Sequence, residues 1–152
     1  LEPLLEWVEG PDLKVLLQGV GIISEQQLRE WQLTGPVARA CGLAEDSRSQ
    51  DPAYRALGFE PVTRHGGDCQ ARLQVRVAEC RQSLHLLAVA GDTTTRAAEG
   101  PRGAYRREDG RLSTPSQALL GSLQPLIPGM EWSSLLLFIA SLDLDMGEAA
   151  LL

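Results

Sequence analysis

The sequence predicts a mainly α chain with one small β-hairpin, an α+β class by that single appendage. Three observations carry the prediction. Leu73, Val77, Cys80, Leu84 and Leu87 recur at alternating steps of four and three, the spacing of one helix face. The N-terminal third is divided into short helical patterns by Gly-Pro pairs and capping residues. One two-residue hairpin signal, Asp109-Gly110, stands between short polar runs. A length of 152 residues suits a single domain spanning 1–152.

The elements follow in order. Leu1, Leu4, Leu5 and Val8 sit at helical spacing until Gly10-Pro11 stops the run. Asp12 is expected to cap a second short helix reaching Gln18. The apolar stretch Gly19-Val20-Gly21-Ile22-Ile23 connects it to the next. This Gly-x-Gly follows no strand and lacks a third glycine, which excludes a dinucleotide loop. Ser24 and Gln27 form a capping box. The helix they open carries Leu28 and Trp31 on one side and is expected to end by Gly35-Pro36. Residues 41–67 are polar and turn-rich, with Tyr54, Leu57 and Phe59 expected to pin them to the core. Asp68 then caps the longest helix, 68–90, whose Leu73–Leu87 seam is expected to be buried. Residues 104–108 and 111–113 make the hairpin, and Thr114-Pro115 opens a further helix. Pro125 and Pro128-Gly129 make a loop. Residues 132–142, apolar on nearly all sides, are expected to form a buried helix.

Composition narrows the function classes. The net charge of −6 comes without a basic cluster, which argues against nucleic acid and anionic membrane surfaces as partners. The apolar run 135–140 falls far short of the roughly 20 residues that span a bilayer. No stretch reads as a secretory signal peptide. Three cysteines fit a reducing compartment. On one helix Cys69 and Cys80 would stand roughly 16 Å apart, and a disulfide needs Cα atoms within about 7 Å. These features predict a cytoplasmic protein without a membrane span.

The motifs carry more. Gly35-Pro36-Val37-Ala38-Arg39-Ala40-Cys41-Gly42 is followed by Asp46, Arg48 and Asp51-Pro52-Ala53-Tyr54. Then come Gly67-Asp68-Cys69, Arg72, Arg76, Glu79 and Gln82-Ser83-Leu84. Glu99-Gly100-Pro101-Arg102-Gly103 and Thr114-Pro115-Ser116 precede the tail Ser141-Leu142-Asp143-Leu144-Asp145-Met146-Gly147-Glu148. In this order the motifs resemble those of the family that unites nickel–iron hydrogenase large subunits with the hydrogenase-like D subunit of NADH:quinone oxidoreductase (respiratory complex I). The formate hydrogenlyase large subunit is similar too. The resemblance implies the C-terminal part of a hydrogenase-like helical bundle. It implies a domain of a longer subunit, whose N-terminal catalytic half lies outside these residues.

In the hydrogenases the tail reads Ser-x-Asp-Pro-Cys-x-x-Cys-x-x-His, and its thiolates bind nickel and iron. With Asp143 on the Asp of that pattern, Asp145 and Glu148 replace the two cysteines. Gly147-Glu148 instead resembles the complex I version, Ser-x-Asp-Ile-Val-x-Gly-Glu. Soft thiolates suit nickel, whereas two hard carboxylates suit Mg²⁺ or Ca²⁺ at most. The resemblance therefore implies no nickel–iron site and no metal or other cofactor of this chain's own. The family uses nickel and iron, or quinone with iron–sulfur clusters in partner subunits. Implied partners are iron–sulfur and membrane subunits of a complex I-like or hydrogenase-like assembly, peripheral on the inner membrane. The family is an oxidoreductase family, and this chain alone is expected to be non-catalytic. The alternative is a stand-alone, non-catalytic scaffold or interaction domain derived from a hydrogenase large subunit.

Residues expected to matter, in structural or pocket-lining roles, are Arg39, Asp68, Arg102, Asp143 and Glu148. Arg39 and Arg102 are the expected partners of Asp143. Arg72 and Arg76 are expected to make surface ion pairs with Asp68 and Glu79. His65 and His85 lack an identifiable nucleophile or partner, and no serine lies in a Gly-x-Ser-x-Gly elbow.

Overall fold

A computed structural model of the chain describes residues 2–91, 106–108, 111–113 and 123–142. The described residues are mainly helical. Helix α1, Glu2–Val8, leads through a turn at Gly10 into α2, Pro11–Leu17. Gly10 rather than Asp12 is the N-cap, because Pro11, with its fixed φ and missing N–H, takes the first helical position. Helix α3, Glu25–Glu30, opens with the expected capping box, Ser24 and Gln27 satisfying each other's backbone N–H.

Gly35-Pro36 opens a helix instead of closing one. The chain leaves α3 at Trp31, and α4, Gly35–Ala40, begins at once, again with proline in its first turn. The turn-rich stretch is more ordered than its sequence suggests. Asp46 caps a 3₁₀ turn, Ser47–Gln50, and Asp51 caps α5, Pro52–Ala56. Both aspartates accept a backbone N–H two residues on, the local bond that favours Asp at such starts. Of the three expected anchors, Phe59 is buried, Leu57 is partly so and Tyr54 is exposed.

Helix α6, Cys69–Ala90, starts where Asp68 accepts the Ala71 N–H. It packs on α4, α2 and the last described helix, α7, Trp132–Ser141. Strands β1, Arg106–Glu108, and β2, Arg111–Ser113, pair antiparallel with Arg107 opposite Leu112. A 3₁₀ turn, Gln124–Leu126, precedes α7. No helix among the described residues is long and apolar enough to cross a membrane. Arg102, the 114–116 start, Asp143, Asp145 and Glu148 lie outside the described residues.

The core gathers Leu17, Ile23, Leu28, Val37, Cys69 and Phe138 from separate segments of the chain. The expected α6 seam holds only in its first half. Val77 is buried and Leu73 half-buried, but Cys80 is exposed, Leu84 is 42% exposed and Leu87 67%. The face packed on α4 is instead Ala71 and Val75, which cluster with the small Ala40 and allow close approach. The expected helix at 132–142 forms, but it is buried only in part. Phe138 and Leu142 are buried, whereas Leu136 is exposed.

Candidate functional site: two buried arginine clusters around the α4–α6 packing

The first cluster sits where the loop 19–23 crosses the start of α6. Gly19 (φ +75°) and Gly21 (φ +58°) adopt left-handed backbone that a side chain disfavours. A Cβ on Gly21 would run into the Phe138 ring, so glycine also lets α7 approach. Backbone bonds tie the loop down, with Ile23 N donating to Gly67 O and Cys69 N to Val20 O, both at 2.9 Å. Asp68 reinforces them. One carboxylate oxygen caps α6 through Ala71 N at 2.7 Å, and the other accepts Gly19 N at 2.8 Å.

Arg72, one turn further along α6, is fully buried. The helix ion pairs expected of it with Asp68 or Glu79 do not form. Its Nη1 donates to Gly67 O at 2.6 Å, Nη2 to Gly21 O at 2.9 Å and Nε to Ser141 Oγ at 3.0 Å. A further contact runs from Nη2 to Cys69 Sγ at 3.4 Å, and the guanidinium lies over the Phe138 ring. Burial lowers the Arg72 pKa from its ordinary value, while nearby Cys69, Cys41 and Asp68 work to raise it. Each of these three oxygen acceptors is neutral, so the guanidinium acts as a rigid fork that joins three chain segments. Ser141 Oγ in turn donates to Phe138 O at 2.6 Å. Arg76 donates to the Arg72 carbonyl oxygen at 3.4 Å.

The second cluster joins Arg39, in the last turn of α4, to Glu79 of α6 and to Asp46. Arg39 is buried and places Nε 2.5 Å from Glu79 Oε1 and Nη1 3.0 Å from Asp46 Oδ2. Arg48 binds Asp46 with two donors, Nε to Oδ1 at 2.9 Å and Nη2 to Oδ2 at 2.7 Å. Its guanidinium carbon is 4.5 Å from the centroid of the Phe59 ring. Burial works to raise the Asp46 pKa, but the hydrogen bonds and charge of Arg48, with the charge of Arg39, hold it below the usual aspartate value. Arg48 is raised, chiefly by its bond to Asp46. The network lines an open cleft of about 730 Å³ with Thr34, Gly35 and Ser47. Gly67 N bonds to Ala40 O and Arg64 N to Arg39 O, so the two clusters share one backbone frame.

Of the expected site residues, Arg39 and Asp68 are thus both interior but in different clusters. Arg39 is paired with Asp46 and Glu79, and Asp143, its expected partner, lies outside the described residues. Sequence reasoning missed Arg72 as a buried group and Glu79 as the partner of Arg39. One signal was available for Arg72. Four residues after an N-cap, it faces the same side as Asp68 and the loop that Asp68 holds. His65 and His85 are exposed. Among the described residues, no three of His, Cys, Asp and Glu group as a metal site.

Comparison with known proteins gives this architecture its context. Residues 11–109, which include both clusters apart from Ser141 and the α7 ring, match the model of the family described as respiratory-chain NADH dehydrogenase, 49 Kd subunit. The D subunit of NADH-quinone oxidoreductase from Ehrlichia canis (strain Jake) is 34% identical over 111 residues, covering 71% of this chain and 27% of the relative. The C/D subunit of the same enzyme from Acidiphilium cryptum (strain JF-5) is 39% identical over 99 residues, 64% of this chain and 16% of the relative. The D 2 subunit from Solibacter usitatus (strain Ellin6076) is 30% identical over 164 residues, 87% of this chain and 44% of the relative. The chain therefore spans less than half the length of each of these relatives. With a match running from α2 through the long helix to β1, the chain belongs to the family of the 49 kDa subunit of respiratory-chain NADH dehydrogenase.

Proposed function

We propose that this chain is the C-terminal domain of a hydrogenase-like subunit in a membrane-associated NADH:quinone oxidoreductase assembly, without a nickel–iron site of its own. The observation that carries the reading is the Gly67-Asp68-x-x-x-Arg72 junction. It is built from a family motif, lies within the matched residues, and draws the end of α7 onto α6. Burying a charge costs several kcal/mol unless its donors are satisfied, and the three oxygen acceptors of Arg72 meet that demand, which supports retention of the family's packing here. The rest of the hydrogenase-like bundle, with the 104–113 hairpin as its β appendage, is part of the same reading.

In this role the chain binds no nickel, because Asp145 and Glu148 stand where the family's metal cysteines would. Its partners are iron–sulfur and membrane subunits, and its place is the membrane surface. Arg39 and Asp68 hold the frame, and Arg102, Asp143 and Glu148 are the further candidates for structural or pocket-lining roles. Recovery of the tagged chain from detergent-solubilised membranes of its native cells tests this. Iron–sulfur and membrane subunits should co-elute in fixed ratio, with no stoichiometric nickel. A chain recovered alone from the soluble fraction would favour the scaffold instead.

A further inference from the structure

The polar contact between α6 and α7 is concentrated in one place. Arg72 Nε donates to Ser141 Oγ at 3.0 Å, and Cys69 Sγ reaches the same oxygen at 3.4 Å and Leu137 O at 3.6 Å. On the apolar side, Phe138 and Leu142 are the buried residues at this end of α7, while Trp132 and Leu136 are exposed. Helix α7 thus docks most closely through its C-terminal turn and leaves one side exposed at Trp132, Leu136 and Ala140. Arg72 itself cannot shift to follow a displaced α7, because its other donors are fixed by Gly67 O and Gly21 O. Those two carbonyls belong to backbone already pinned by Ile23 N–Gly67 O and by Asp68 on Gly19 N.

We infer that Arg72 is a positioning residue for the chain's C-terminal segment and acts through Ser141. It fixes where the backbone leaves α7 at Leu142, and hence the point from which the acidic 143–148 stretch departs. Its significance rests on the proposed reading in one respect, that this stretch carries the family's terminal motif. The geometry at Ser141 does not depend on that reading. The fork shape of arginine is required. A lysine ammonium placed at the same position cannot reach Gly67 O, Gly21 O and Ser141 Oγ in fixed directions.

Cys69 reports on the latch directly. It is a buried free thiol wedged between Arg72, Ser141 and Leu137, and Cys80, exposed on the same helix, is a built-in reference. Iodoacetamide labelling of the folded chain, read by peptide mass spectrometry, gives the ratio of Cys69 to Cys80 modification rates. Ser141→Ala should raise that ratio about tenfold or more, since a hydrogen bond to a charged group is lost and local opening exposes the thiol. Ser141→Thr retains the hydroxyl and should keep the ratio near that of the unmodified chain. Arg72→Lys should raise it as Ser141→Ala does. An unchanged ratio in Ser141→Ala overturns the inference. So does equal acceleration in the Ala and Thr variants, because packing rather than the hydroxyl would then hold α7. Because labelling is read on the chain itself, failure to recover partner subunits would sink the proposed function and leave this result standing.

Discussion

At the scale of single residues, two buried arginines, Arg39 and Arg72, tie separate segments together inside an interior built mostly of leucine, valine and alanine. Arg72 satisfies three oxygens that have been taken out of water, and truncating it would orphan them and leave a cavity. Arg72→Ala should therefore cost about 3 kcal/mol or more in urea denaturation. A loss below about 1 kcal/mol would mean that the guanidinium is not the keystone of the junction. Asp46 gives a pH signature. Its folded-state pKa is depressed by the two arginines, so its stabilising effect is complete above the ordinary aspartate value, about 3.9. That effect is lost as pH falls through the lower folded-state value. Denaturation midpoints between about pH 6 and pH 3 should fall more for the unmodified chain than for Asp46→Asn. Parallel acid limbs would show that Asp46 carries no linked stability.

At the scale of elements, local chemistry was legible wherever a cap or a proline dictates backbone geometry. The Ser24–Gln27 box, the Asp68 cap and the helix at 132–141 could be read from neighbouring residues alone. What could not be read was which face of α6 finds a partner. The Leu73–Leu87 spacing marks a helix, but periodicity does not say whether α4 or solvent meets that stripe, and Ala40 clusters with Ala71 and Val75 instead. Gly35-Pro36 was ambiguous for a related reason, since the same pair ends one helix and starts another. Arg39 and Asp68 stood out in the sequence through their motifs, and both prove to be buried. Their pairing with Glu79 and Gly19 was not legible, the partners being 40 and 49 residues away. A paired comparison tests the packing. Leu84→Ala should cost less than about 1 kcal/mol, whereas Phe138→Ala should cost about 3–5 kcal/mol. Similar losses at both positions would restore the full-length seam and contradict the packing described here.

At the scale of the whole molecule, two arginine clusters brace α6 at its start and at Glu79, and both are tied to the C-terminal end of α4. Exposed apolar side chains at Leu84, Leu87 and Trp132 fit a domain that works in company rather than alone. The measurement that tests this most directly is NADH-dependent quinone reduction by membranes from native cells. It should be compared with the gene intact, deleted, and restored as the unmodified chain or as Arg72→Ala. The account predicts that deletion lowers the rate, that the unmodified chain restores it, and that Arg72→Ala restores it poorly. Unchanged quinone reduction after deletion would contradict the claim that this chain serves such an assembly.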